Sequence, residues 1–230
     1  MGFCIGTMHV MVCCHHSSYA PHSRIASLQY EEATMDFADV VAKRRMVRNF
    51  SERPVDPEAI ERILDYARRG PSAGFTQGQD FIVVTQQELK DAIAELCHEK
   101  SYVERGFAPF ISGAPVLIIP CTTENAYHRR YQQSDKVRED GSEIDWPVPF
   151  WFMDVGCAVM LILLGVVDEG LAAGYAGAMD LDMLRELLNI PAEVTPVGVI
   201  PIGHPAPDKR SPSLKRGRRD EKEVVHHEGW

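Results

Sequence analysis

The run Arg44-Arg45-Met46-Val47-Arg48, with Lys43 before it and Arg53 after it, sets five bases against one acid, Glu52, between positions 43 and 53. Guanidinium forks bind phosphate oxygens in pairs, so the run is either an anion pocket or a solvated basic face. The stretch Pro71-Ser72-Ala73-Gly74-Phe75-Thr76-Gln77-Gly78-Gln79 mixes small residues, which let backbone approach a ligand, with hydroxyl and amide groups suited to a polar heterocycle. Its plain alternative is a connecting turn. A third group, the tail Lys209 to Arg219 with Lys215, Arg216, Arg218 and Arg219, follows the last apolar segment.

The chain that carries them has 230 residues, 45% of them apolar, with 24 Lys and Arg against 33 Asp and Glu, a net charge of −9. That predicts one domain, large enough to bury roughly 70% of its unfolded surface. Nucleic acid and anionic lipid both demand excess positive charge, so neither a nucleic-acid nor a membrane partner is expected. No P-loop, Gly-x-Gly-x-x-Gly, Gly-x-Ser-x-Gly or His-Glu-x-x-His is present, which removes the commonest nucleotide-binding and hydrolase classes. Six cysteines without a Cys-x-x-Cys pair predict reduced thiols in a cytoplasmic protein. Cys13, Cys14, His15 and His16 are adjacent, and neighbours cannot all converge on one tetrahedral ion, so no metal site is expected.

Residues 1–34 lack helical or strand periodicity and read as a disordered extension or a misassigned start ahead of Met35. Residues 35–230 read as a single domain. Phe37, Val40, Val41, Arg44 and Val47 follow helical spacing; Asp56 and Pro57 open a second helix that stops at Gly70. A strand is expected at 81–84, and Thr85 with Glu88 forms a capping box for a helix through Leu96. Pro115 precedes a strand at 116–119. Residues 154–169 form a helix apolar on all sides, expected to run through the centre; its uncharged part, 155–167, is too short to cross a hydrocarbon layer of about 30 Å. A strand or loop at 173–177, a helix at 180–189 and a strand at 197–202 complete the core. Two helices precede any strand and the sheet is small, which predicts an α+β fold with a mixed central sheet flanked by helices.

Residues 122–150 are polar and without core periodicity, and read as a lid or dimer arm. Within it, 135–145 carries five acids and two bases, a solvated surface by composition. His128, Arg129, Arg130 and Tyr131 either meet a dinucleotide phosphate or stay solvated. The aromatic run from Trp146 to Phe152 is either core packing at re-entry or an apolar wall for a planar substrate.

In this order the segments resemble the nitroreductase family of FMN-dependent oxidoreductases. The resemblance rests on RRMVRNF from Arg44 to Phe50, Pro54-Val55, Pro71-Ser72, Ala114-Pro115, the helix starting at Asp154, Gly170-Leu171, Pro201-Ile202-Gly203-His204-Pro205, and Arg218-Arg219 followed by Glu223-Val224-Val225-His226. It implies a homodimer with FMN at the subunit interface and a tail, 204–230, whose strand is exchanged onto the partner's sheet. Carried over by position, Arg44 and Arg45, next to Met46, would bind the FMN phosphate, joined by Arg216 and Arg218. Arg48 would approach the pyrimidine edge and stabilise the charge that grows there, the one catalytic role assigned. Pro71, Ser72, Ala73, Gly74 and Gln77 would contact the ring or ribityl chain, and Ala176, Gly177 and Ala178 would lie beside the nitrogen N5.

The chain departs from the common family pattern in four places. Phe75 stands where many members have Asn, Gln77-Gly78-Gln79 where they have Gln-Pro-Trp, Met46 where Ser is usual, and Gly177 where an acid is often found. The Gly-Phe form resembles the subgroup of the flavin-fragmenting lower-ligand synthase and the flavin-like domain of coenzyme F420 ligase. The resemblance implies hydride transfer from NAD(P)H through FMN to a nitroaromatic, quinone or enone. The alternatives are a flavin-binding protein without turnover and an oxygen-dependent flavin-fragmenting enzyme.

Overall fold

The computed structural model describes residues 35–230; the extension at 1–34 and its Cys-His group lie outside the described residues. Helix α1, Phe37–Lys43, begins at Asp36, whose carboxylate accepts from the Ala38 amide. It stops one turn earlier than its apolar spacing predicts. From Arg44 the chain runs extended, because Met46 bridges Ala173 and the Val47 amide donates to the Ala173 carbonyl at 2.9 Å. Sheet-edge pairing overrides helical periodicity, so the basic run sits on an extended segment and not on a helix. Helix α2, Pro57–Arg68, starts as expected, with Asp56 capping the Glu58 amide.

The strands β1 (Gln79–Val84), β2 (Val116–Thr122), β3 (Ala172–Ala173), β4 (Thr195–Pro196) and β5 (Ile200–Gly203) form one sheet in the order β1-β2-β5-β3, with β4 on β2. Every strand pair is antiparallel. Among the described residues, the one parallel pairing is the Met46–Ala173 bridge. In β2, Val116 and Ile118 face one core and Leu117, Ile119 and Cys121 the other, which is why its sequence is apolar throughout.

The first core joins that face to α2 and to α6 (Phe150–Asp168); the second joins the opposite face to α3 (Gln87–Leu96) and α7 (Leu181–Leu188). A short helix, α4 (Glu99–Glu104), unpredicted, leads toward β2; its buried Glu99 accepts from the Ile111 amide and the Ser112 hydroxyl. The expected capping box is absent, since α3 starts after Gln86 with no side-chain cap. Helix α7 is capped at Asp180 and closed by Asn189 in the left-handed region, φ 52°.

Helix α6 is longer than predicted and is not enclosed. Its 19 residues would suffice to cross a membrane by length and composition alone. Here Val159, Ile162, Leu163 and Val166 pack in the first core while Phe152, Met153, Cys157 and Met160 face solvent on the opposite side. The arm is also more structured than its composition suggests: α5, Glu124–Tyr131, carries Tyr127 with no exposed surface at all. Past Gly203, residues 204–230 contain only short 3-10 turns and the Pro205 bridge to Phe50, with Val224, Val225 and Trp230 exposed.

Candidate functional site

The extended segment 44–48 is held from two sides. Gly174 lies so close to it that a Cβ would sit 2.8 Å from the Val47 carbonyl, so only glycine fits beside this edge. On the other side the chain returns from β5. Ser51 donates to His204, Phe50 bridges Pro205, Ala206 donates to Asn49, and Asn49 donates to Pro207. The zipper ends at Asp208, whose Oδ2 accepts from the Arg48 amide at 3.1 Å and from Arg45 Nη1 at 3.2 Å.

Arg48 turns its guanidinium over the rings of Phe107 and Phe110, 5.7 and 5.9 Å from their centroids. It lines a pocket of about 490 Å³ with Tyr102, Arg105, Phe107, Lys209 and Ser211, and no acid is among the lining residues. The Arg44 guanidinium makes no hydrogen bond or ion pair with the described residues. The same holds for Arg216 and Arg218, which the tail leaves in solvent. Ala176 pairs with Val199 beyond β3; Gly177 is exposed, with open space where a Cβ would stand, and Ala178 packs against the second core. Met46 packs against the first core.

The loop 71–79 is anchored elsewhere, on α5 and α6. The Ala73 amide donates to the buried carboxylate of Asp154 (2.8 Å), which also accepts from the Tyr127 hydroxyl (2.8 Å). Burial and that bond push the Tyr127 phenol up. Ser72 Oγ accepts from the Gln77 amide at 2.9 Å, so this hydroxyl is engaged within the loop. Arg130 Nε donates to the Gly74 carbonyl at 2.8 Å while its fork grips Asp135 at 2.7 Å twice. That grip holds the Asp135 carboxyl down at about 2. Pro71 stays exposed.

Arg130 is therefore committed to the loop, and His128 lies between Glu143 (2.6 Å) and Glu124 (3.5 Å). Trp146 and Trp151 pack on Tyr127, His128 and Tyr131, which makes the aromatic run a joint between α5 and α6. Among the described residues, Cys97, Cys121 and Cys157 are free; burial pushes the first two thiols up to about 12, so they are inert.

Of the expected site residues, the structure gathers Arg44, Arg45, Met46 and Arg48 along β3, with 176–178 continuing from that strand; Ser72 to Gln77 hang from a separate set of elements. Arg105 and Asp208 escaped sequence reasoning, and Lys209 was read only as the start of the basic tail. Arg105 and Lys209 join Arg48 in its pocket, and Asp208 sets an acid against Arg45. Their one signal was the order of segments, since each is brought in by topology. Oδ1 of Asp208 is buried with no partner among the described residues. A free acceptor amid guanidinium groups, beside phenylalanine rings, suits a ligand that combines phosphate, a polar ring edge and hydroxyl donors. FMN fits that donor set.

The family model described as Nitroreductase family matches residues 41–204. The chain is 30% identical over 202 residues to a protein of Methanothermobacter thermautotrophicus named as an NADH dehydrogenase/NAD(P)H nitroreductase, covering 85% of this chain and 88% of that one. It is 27% identical over 208 residues to the iodotyrosine deiodinase of Nematostella vectensis, with 82% and 74% covered. It is also 27% identical over 202 residues to the FMN reductase [NAD(P)H] of Bacillus subtilis, with 81% and 71% covered.

Proposed function

This chain belongs to the nitroreductase family, and from that premise we propose that it is an FMN-dependent oxidoreductase carrying a hydride equivalent from NAD(P)H to a nitroaromatic, quinone or enone. The observation that carries the reading is the acid-free pocket in which Arg48, Arg105 and Lys209 stand around Phe107, fixed to the sheet edge by Asp208. When bound, FMN supplies the two-electron chemistry that no side chain can perform. With a quinone the balance is NAD(P)H, a proton and the quinone giving NAD(P)+ and the hydroquinone.

The residues contribute binding, orientation and charge. Arg44 and Arg45, with Arg216 and Arg218 from the tail, hold the phosphate as guanidinium forks do. Arg48, and with it Arg105, opposes the negative charge that builds at the pyrimidine edge, and the Phe107 and Phe110 rings keep that guanidinium in a less hydrated setting, where its charge acts more strongly. Ser72 and Gln77, with the backbone of Ala73 and Gly74, contact the ring or ribityl chain, while 176–178 bring backbone beside N5.

The separate anchorage of 44–48 and 71–77 favours a homodimer that completes the site with segments of both copies. The exposed apolar side of α6 and the exposed valines of the tail supply surfaces for that association and for exchange of the tail. The arm 122–150 borders the loop through Arg130 and serves as its wall.

The test is the visible spectrum of the purified protein, before and after NADPH or NADH without air, then with a quinone, a nitroaromatic or a halogenated phenol. The halophenol is included because one relative is named a deiodinase. A flavin spectrum that bleaches and is restored by an acceptor supports the reading. Bleaching that no acceptor reverses means a flavin-binding protein without turnover, and irreversible loss of the chromophore in air means flavin breakdown. A protein that stays colourless with FMN sinks the assignment.

A further inference from the structure

Phe75 is 77% exposed, yet its loop is tied by several hydrogen bonds. Its own amide donates to the Ser72 carbonyl at 2.9 Å and Thr76 Oγ1 donates to the Ala73 carbonyl. Asp154 holds the amide before it and Arg130 the carbonyl of Gly74, while the Tyr131 ring lies so close that a Cβ on Gly74 would meet it at 2.8 Å.

The backbone is costly as well. Phe75 has φ 56° and Gln77 φ 54°, following Gly74 at 61°. The left-handed region strains every residue but glycine, and Asn least among the others. The loop thus places a phenyl ring in water on a backbone that disfavours it, with no ring partner among the described residues. Strain of this sort persists where the surroundings over-determine it, and it gathers at ligand sites.

Resting on the proposed function, we infer that Phe75 is a specificity residue that offers its face to the acceptor, selecting planar, electron-poor aromatic or quinoid rings over acceptors without a ring. A phenyl face is the electron-rich side of its quadrupole and stacks best on an electron-poor partner. Fixing it before the ligand arrives removes the ordering cost that a mobile loop would add.

The test compares Phe75→Leu, which keeps the bulk and the backbone strain but loses the ring, with Phe75→Tyr, which keeps the ring. The ratio of kcat/KM for a nitroaromatic or benzoquinone to that for ferricyanide falls roughly three- to tenfold in the Leu variant and is restored in the Tyr variant. Calorimetric binding of 2-naphthoate, a planar ring that is not reduced, weakens by a similar factor in the Leu variant alone.

An unchanged ratio, or an equal fall for both acceptors, overturns the inference. So does a slower anaerobic bleaching by NAD(P)H, which would assign the ring to the donor. A loss of dimer by light scattering overturns it too, because Phe75 would then be a subunit contact. If the unaltered protein neither bleaches nor reduces any acceptor, the proposed function fails instead, and that outcome is read before any variant is made.

Discussion

The carboxylate of Asp208 lies 3.2 Å from the guanidinium of Arg45, 163 positions earlier in the chain. It is 3% exposed while Arg45 is half exposed, so the acid is fixed and the base is free to turn. An incoming phosphate therefore competes with Asp208 for Arg45.

Asp208→Asn keeps the shape and the acceptor for the Arg48 amide but removes that competition. FMN should bind about two- to fivefold more tightly, the scale of a partly exposed ion pair, and riboflavin, which has no phosphate, should bind as before. Fluorescence titration of the apoprotein measures both. Equal changes for the two ligands would show that Asp208 acts on fold and not on charge.

Arg48→Ala should slow anaerobic reduction by NAD(P)H by about a hundredfold, the usual loss when one charge-stabilising group is deleted. FMN affinity should change much less. Stopped-flow bleaching and equilibrium titration separate the two, and unchanged bleaching would take Arg48 out of the mechanism.

Asp154→Ala strands two donors, the Ala73 amide and the buried Tyr127 hydroxyl. A cost of about 2–4 kcal/mol in urea unfolding is expected. Tyr127→Phe removes one donor cleanly and should cost about 1 kcal/mol. A double variant no worse than Asp154→Ala alone would confirm that the two act as one unit.

The His128–Glu143 tie should make the arm sensitive to pH. The hydrogen bond to Glu143 raises His128 above 6.5, so its contribution is complete below 6.5 and is lost as pH rises through the raised value. Glu143 is lowered, first by the Trp146 indole, so its contribution is complete above 4.5 and is lost only as pH falls below that ordinary value. Trp146 fluorescence should therefore report a loosening above pH 6.5 that is missing in His128→Gln; a transition that survives the substitution belongs to another group.

Met160→Glu places a charge in the middle of the exposed apolar side of α6. Light scattering should show monomer, with FMN lost at the same time, if two copies share the site. A stable dimer would move the subunit contact to another face.

The sequence made α2, β2 and α7 legible because their apolar spacing agrees with their packing: Asp56 caps as expected, and Asp180, read as the start of its helix, caps it. It misled at α1, where Val47 keeps helical spacing yet pairs with Ala173, since edge pairing leaves no local trace. Tyr127, the residue that roots the arm, was hidden among charged neighbours because one buried ring gives no periodicity. In the site, the arginine run and the small-residue loop could be read directly. Arg105, Lys209 and Asp208 could not, because proximity in space between residues far apart in the chain is a property of topology alone.

The zipper of 204–208 onto 48–51 also sets an order of events during synthesis. Residues 44–48 leave the ribosome before β5 and Asp208, which clamp them against β3. The basic run therefore stays an unsheltered cation strip until those later segments emerge. If FMN binds this edge as proposed, its loading waits until Asp208 has been made, and products truncated before that residue carry the arginines without the means to hold them.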